Sequence, residues 1–96
     1  MIDGRKNYKS NLYILKSEKY LKIGKANDIE KRILQLQTGN PIQIDLVGYY
    51  PCKDDNFALD LENSIHRILK KYKYRGEWFE MSVEEIKEIL KYFIYL

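Results

Sequence analysis

The sequence has one cysteine, one histidine and two prolines in 96 residues. The lone Cys52 forms no internal disulfide, has no neighbouring pattern for metal or redox work, and reads as a small buried apolar residue. Long apolar runs are missing too. The longest is the five-residue Tyr92-Phe93-Ile94-Tyr95-Leu96, against the roughly 20 residues a membrane-spanning helix needs. Met1 to Lys6 lacks the apolar block and small-residue cleavage site of a secretion signal, so a cytoplasmic location and no membrane partner are expected. No repeat, low-complexity tract or Pro/Gly/Ser-rich linker divides the chain. Residues 1–10 are expected to be a flexible leader and residues 11–96 one domain. Net charge is small, +3 from 17 Lys+Arg and 14 Asp+Glu, which identifies no partner by itself. Basic residues gather at Lys22/Lys25, Lys31/Arg32 and Lys70/Lys71/Lys73/Arg75, a distribution also found on ordinary solvated surfaces.

What is plentiful is apolar and aromatic material, 45% and 14% of the residues, enough for one core. Leu12-Tyr13-Ile14-Leu15 and Tyr20-Leu21-Lys22-Ile23-Gly24 flank a polar turn and predict a β-hairpin. With a Ser17-Glu18 loop, opposed positions sum to 35: Leu12 faces Ile23, Ile14 faces Leu21, and Tyr13 faces Lys22 on the other surface. Asn27 and Glu30 form a potential capping box. The helix it opens carries Ile29, Ile33 and Leu36 on one stripe and stops at Thr38-Gly39-Asn40-Pro41. Ile42 to Tyr50 alternates as a third strand. Ala58, Leu61, Ile65, Ile68 and Tyr72 predict a long helix from Asp55 to about Tyr72. A turn at Arg75-Gly76, a short extended Glu77 to Glu80, and a last helix capped by Ser82-Val83-Glu84-Glu85 follow, with Ile86, Ile89, Leu90 and Phe93 inward. The fold class is therefore α+β: a small three-stranded antiparallel sheet flanked by helices, in the order ββαβα plus an extended segment and a C-terminal helix.

Asn11-Leu12-Tyr13, Lys22-Ile23-Gly24 and Glu30-Lys31-Arg32, followed by Leu61-Glu62-Asn63-Ser64-Ile65-His66 and Arg75-Gly76-Glu77-Trp78-Phe79, resemble the GIY-YIG nuclease superfamily. The resemblance is to a short phage and bacterial branch with Lys-Ile-Gly as its second motif. Asn11 replaces a glycine of the pattern, Lys22 a tyrosine, and Leu36 a histidine found in some members.

The resemblance implies a metal-dependent endonuclease or nickase acting on DNA. Tyr13 would take a proton from water, Arg32 would clamp the phosphate, and Glu62 would bind one Mg²⁺ or Mn²⁺, weakly, since one carboxylate leaves the ion dependent on water and DNA phosphate. Lys22, about 5 Å from Tyr13 in the register above, would favour phenolate by about 3 kcal/mol at an effective dielectric of 20. His66, four residues after Glu62 on the same helical face, either contacts phosphate, orients a water or simply pairs with Glu62. Lys25, Lys31 and Tyr20 are candidate nucleic-acid contacts. Trp78 and Phe79 could stack on bases, but core packing is the stronger expectation. Relatives of that kind often work with a separate DNA-reading domain. The alternative is a nucleic-acid-binding module of the same fold without turnover.

Overall fold

The computed structural model describes residues 10–91. Strand β1 (Ser10–Ser17) and strand β2 (Tyr20–Ala26) form the expected hairpin, but their opposed positions sum to 37: Tyr13 faces Gly24, and Leu15 faces Lys22. A shift of two leaves every side chain on its original face, so hydrophobic pattern alone does not separate the two registers. Charge does. The expected register sets Lys16 opposite Lys19, a like-charge pair that costs about 0.2–1 kcal/mol, whereas the observed one sets Lys16 opposite Leu21 and adds a Ser17–Tyr20 pair. The loop becomes Glu18-Lys19, with Glu18 at a φ of 55°. Ser10, expected in the leader, is a buried strand residue, while residues 1–9 lie outside the described part.

Strand β3 (Asp45–Cys52) pairs with β1. It starts three residues later than alternation suggests because Gln37 holds the preceding loop. Its amide nitrogen donates to the Asn40 and Ile42 carbonyls, and its Oε1 accepts from the Ile44 amide. Two three-residue strands, β4 (Lys73–Arg75) and β5 (Trp78–Glu80), join at Gly76, whose φ of +57° suits a residue without a side chain. The sheet therefore has five strands, ordered β3-β1-β2-β5-β4 with antiparallel pairing, instead of the expected three.

Helix α1 (Ile29–Gln37) is capped by Asp28, whose carboxylate accepts from the Lys31 amide, and not by Asn27. Helix α2 (Asp55–Ile68) is capped by Asp54 and ends before Tyr72, passing into a 3-10 turn at Lys70–Tyr72. Helix α3 (Val83–Leu90) begins with the expected Ser82/Glu85 capping box. Ile86 and Leu90 point inward as predicted; Phe93 lies outside the described residues. A buried core lies on each face of the sheet. Leu12, Ile14, Leu21, Ile23 and Phe79 pack with Ala58, Ile65 and Leu69 of the α2 segment and with Ile86 and Leu90 of α3. On the opposite face Tyr13, Leu15, Ala26 and Ile44 pack with Ile29, Ile33 and Leu36. Among the described residues no helix is long and apolar enough to cross a membrane.

Candidate active site

Tyr13 and Gly24 stand opposite each other in the hairpin, and the phenol lies across the glycine. A Cβ on Gly24 would sit 2.6 Å from the Tyr13 hydroxyl oxygen and 2.8 Å from Cζ. Only a residue without a side chain leaves room for that crossing. Tyr13 is 1% exposed. Burial, reinforced by the charges of Glu77 and Glu62 and opposed by Arg32, pushes its pKa up to about 12. The expectation that Lys22 makes this phenol acidic is thus corrected. Lys22 faces Leu15, its ammonium pairs with Glu77 at 3.0 Å, and it lies 5.5 Å from the centre of the Trp78 ring.

Glu77 is the residue that sequence reasoning missed. The Ile23 amide donates to its carbonyl, 3.2 Å away, which fixes it beside β2. Its Oε1 lies 3.1 Å from the position of a Gly24 Cβ, so the carboxylate and the Tyr13 phenol meet over the same glycine. Glu62 comes from the middle of α2 and is 7% exposed. Burial first, then the Glu77 charge and a hydrogen bond to Glu77, raise its pKa above the usual carboxylate range, while His66 and Lys25 act in the opposite sense. An acidic residue between a glycine turn and an aromatic strand was the available signal for Glu77, but its partner could be named only in the correct register.

The remaining predicted residues divide between two places. Arg32 is exposed on α1, yet close enough to Tyr13 to influence its ionisation. With Lys25 and Lys31 it lines a cleft of about 420 Å³ that also holds Asp28, Gln35 and Asp55. His66 is fixed by β2: its Nε2 lies 2.8 Å from the Ile23 carbonyl, to which it donates, and its ring meets Phe79 edge-on at 4.9 Å. This anchoring makes it a positioned neighbour of Glu62 with Nδ1 as its second nitrogen. Tyr20 is separate from the cleft. It lies four residues from Gly24 along β2, about 13 Å at strand rise, and stacks against Tyr74 with ring centres 4.4 Å apart. Phe79 is fully buried, as expected, whereas Trp78 is only partly so.

The phenol, guanidinium and two carboxylates give a site with donors for anionic oxygen and acceptors for a cation. Among the described residues no group of three or more His, Cys, Asp or Glu could hold a metal ion. The Glu62–Glu77 pair nevertheless fits a hard divalent cation. Both offer oxygen, their charges oppose each other's ionisation, and Mg²⁺ commonly uses one or two carboxylates with water and substrate phosphate completing its shell.

A sequence profile of the T5orf172 domain matches residues 10–94. This nuclease-like family is different from GIY-YIG, which corrects the resemblance drawn from the motifs. Tripeptides such as Asn11-Leu12-Tyr13 and Lys22-Ile23-Gly24 carry too few constraints to separate families, while the profile spans nearly the whole chain. No curated protein and no solved structure gives a match.

Proposed function

We propose that this chain, which belongs to the T5orf172 domain family, hydrolyses DNA phosphodiester bonds with the help of a weakly held Mg²⁺ or Mn²⁺. The meeting of Tyr13 and Glu77 over Gly24, with Arg32 and Glu62 near enough to act on the phenol, is the observation that carries this reading. Arg32 offers a planar, permanently charged clamp for phosphate oxygens, and Lys25 and Lys31 in the same cleft add charge for the flanking backbone. Glu62 and Glu77 would hold the cation, which supplies Lewis acidity when bound.

Tyr13 has a different role from that of general base. With a pKa of about 12, roughly one phenol in 100,000 is ionised at pH 7. The neutral hydroxyl instead donates a hydrogen bond to a phosphate oxygen as negative charge develops there. In the reaction a water oxygen forms the new P–O bond, the ester P–O bond breaks, and the departing oxygen ends as a hydroxyl. Glu62, whose pKa is raised by burial and by the Glu77 charge, holds a proton more readily than an ordinary carboxylate.

The test is incubation of purified protein with supercoiled plasmid, with and without Mg²⁺ or Mn²⁺, beside Glu62→Ala and Tyr13→Phe. Cation-dependent nicking that both substitutions reduce by about 100-fold or more supports the proposal; nicking that survives both overturns the site. A second reading, a DNA-binding module without turnover, is favoured by the un-ionised phenol. It predicts a salt-sensitive gel shift and no nicking.

A further inference from the structure

Beyond the cleft, the α1-side face of the sheet continues over β2, β5 and β4 and carries aromatic rings set among cations. Lys22 and Trp78 oppose each other there, as do Tyr20 and Glu80. The β4–β5 pairing then slips: Lys73 faces Phe79, but Arg75 faces Trp78. The extra residue, Tyr74, forms a bulge, a device that re-aims side chains. Its ring crosses to stack on Tyr20, tilted by 31°, and the Arg75 guanidinium lies 5.9 Å from its centre. Tyr74 remains 54% exposed, and Trp78 is only partly buried.

From this arrangement we propose that the Tyr20–Tyr74–Trp78 face binds unpaired bases of a nucleic-acid strand, so that the preferred substrate has a single-stranded segment beside the cut. Base–aromatic stacking suits exposed rings that no helix among the described residues covers, and it tolerates any sequence. Charge complementarity identifies the occupant. Arg75 forms no ion pair with a carboxylate among the described residues, and it lies on this face, opposite Trp78 and beside Tyr74, where a strand's phosphates would run. The face is continuous with the candidate active site, because Lys22 touches both Trp78 and Glu77. The distance of about 13 Å from Tyr20 to Gly24 corresponds to roughly four steps at 3.4 Å per base. The choice of substrate rests on the phosphodiester reading above; the binding itself does not require turnover.

Trp78 is the only tryptophan in the chain, so intrinsic fluorescence reports directly from the platform. The full chain is titrated, without divalent cation, with ten-residue oligodeoxythymidylate, the matching oligouridylate, a blunt DNA duplex and tripolyphosphate. The two single strands distinguish DNA from RNA as the source of the bases. At least one of them should quench Trp78 and bind more tightly than the duplex, while tripolyphosphate should leave the emission unchanged. Tyr74→Ala should weaken that binding by about 5- to 150-fold, the range for loss of one stacked base. Tyr74→Phe, which keeps the ring, should restore it, and the salt slope should stay constant in both variants. Equal or tighter duplex binding, quenching by tripolyphosphate, or an unaltered affinity in Tyr74→Ala overturns the proposal. Oligonucleotide binding with these signatures but no plasmid cleavage would refute the nuclease reading and leave the platform standing. Cleavage with an ineffective Tyr74→Ala would do the reverse.

Discussion

Replacing Gly24 by alanine puts a methyl group where Tyr13 already lies. The new Cβ would be 2.6 Å from the phenol oxygen, 2.8 Å from Cζ and 3.1 Å from a Glu77 oxygen, so three atoms of the candidate site must give way together. Gly24 is an interior strand residue without a positive φ, and alanine would otherwise gain about 0.4–1 kcal/mol by restricting the unfolded chain. Overpacking a filled site costs about 1–3 kcal/mol, and the ring cannot swing freely because it is buried with Leu15, Ala26 and Ile44. The overpacking wins. Gly24→Ala should lose about 1–2 kcal/mol in denaturant titration, or about 4–16 °C in Tm for a domain of this size. Cation-dependent cleavage should fall much further than stability, because a displacement near 1 Å can cost about 100-fold in rate. Thermal melts and plasmid nicking below the melting range measure the two separately. An alanine variant with wild-type or higher stability and full activity would refute the crossing of phenol and glycine.

Glu62→Gln should make the protein more stable at neutral pH while abolishing cation-dependent activity. The folded state binds the Glu62 proton more tightly than the unfolded chain, so its favourable contribution is complete below about pH 4.5 and declines as pH rises through the higher folded value. The amide removes that slope, with a gain of about 1 kcal/mol at pH 7, the lower end of the cost of burying a polar group without a full partner; chemical denaturation at pH 5 and 8 measures it. Because the Tyr13 proton is retained up to about pH 12, the ratio of wild-type to Tyr13→Phe cleavage rates should be constant between pH 7 and 10. A tenfold rise per pH unit would reinstate phenolate as the base. Glu18→Gly should stabilise the hairpin by up to about 1 kcal/mol, since Glu18 holds a left-handed φ of 55° that costs a side-chain-bearing residue about 1–2 kcal/mol; a lower Tm would argue against this turn.

The hairpin, the three helices and the division of apolar residues between two sheet faces were legible because each follows from alternation, helical spacing or a capping side chain. Leu12, Ile14, Leu21 and Ile23 lie on one face in either register, which is why the pattern located the sheet and left the pairing open. That ambiguity hid the site. A shift of two moves Lys22 away from Tyr13 and brings Gly24 in, and burial, followed by the Glu77 charge, then raises the pKa of the phenol. Strands β4 and β5 are too short for alternation to declare them, and their position at the sheet edge depends on pairing with residues more than fifty positions earlier. Ile68 was expected inside and is 40% exposed, while Leu69 takes the buried place where α2 gives way to the 3-10 turn. Asp28 could cap α1 as readily as Asn27, since both side chains accept from a backbone amide.

A double-mutant cycle in single-turnover cleavage, with Tyr13→Phe, Glu62→Gln and the pair combined, tests most directly whether phenol and carboxylate serve one phosphodiester. Groups that act as a unit give strongly non-additive losses. The arrangement around Gly24 predicts that the combined variant is only slightly slower than the worse single one. Losses that multiply, or a wild-type protein with no cation-dependent cleavage to lose, would contradict it.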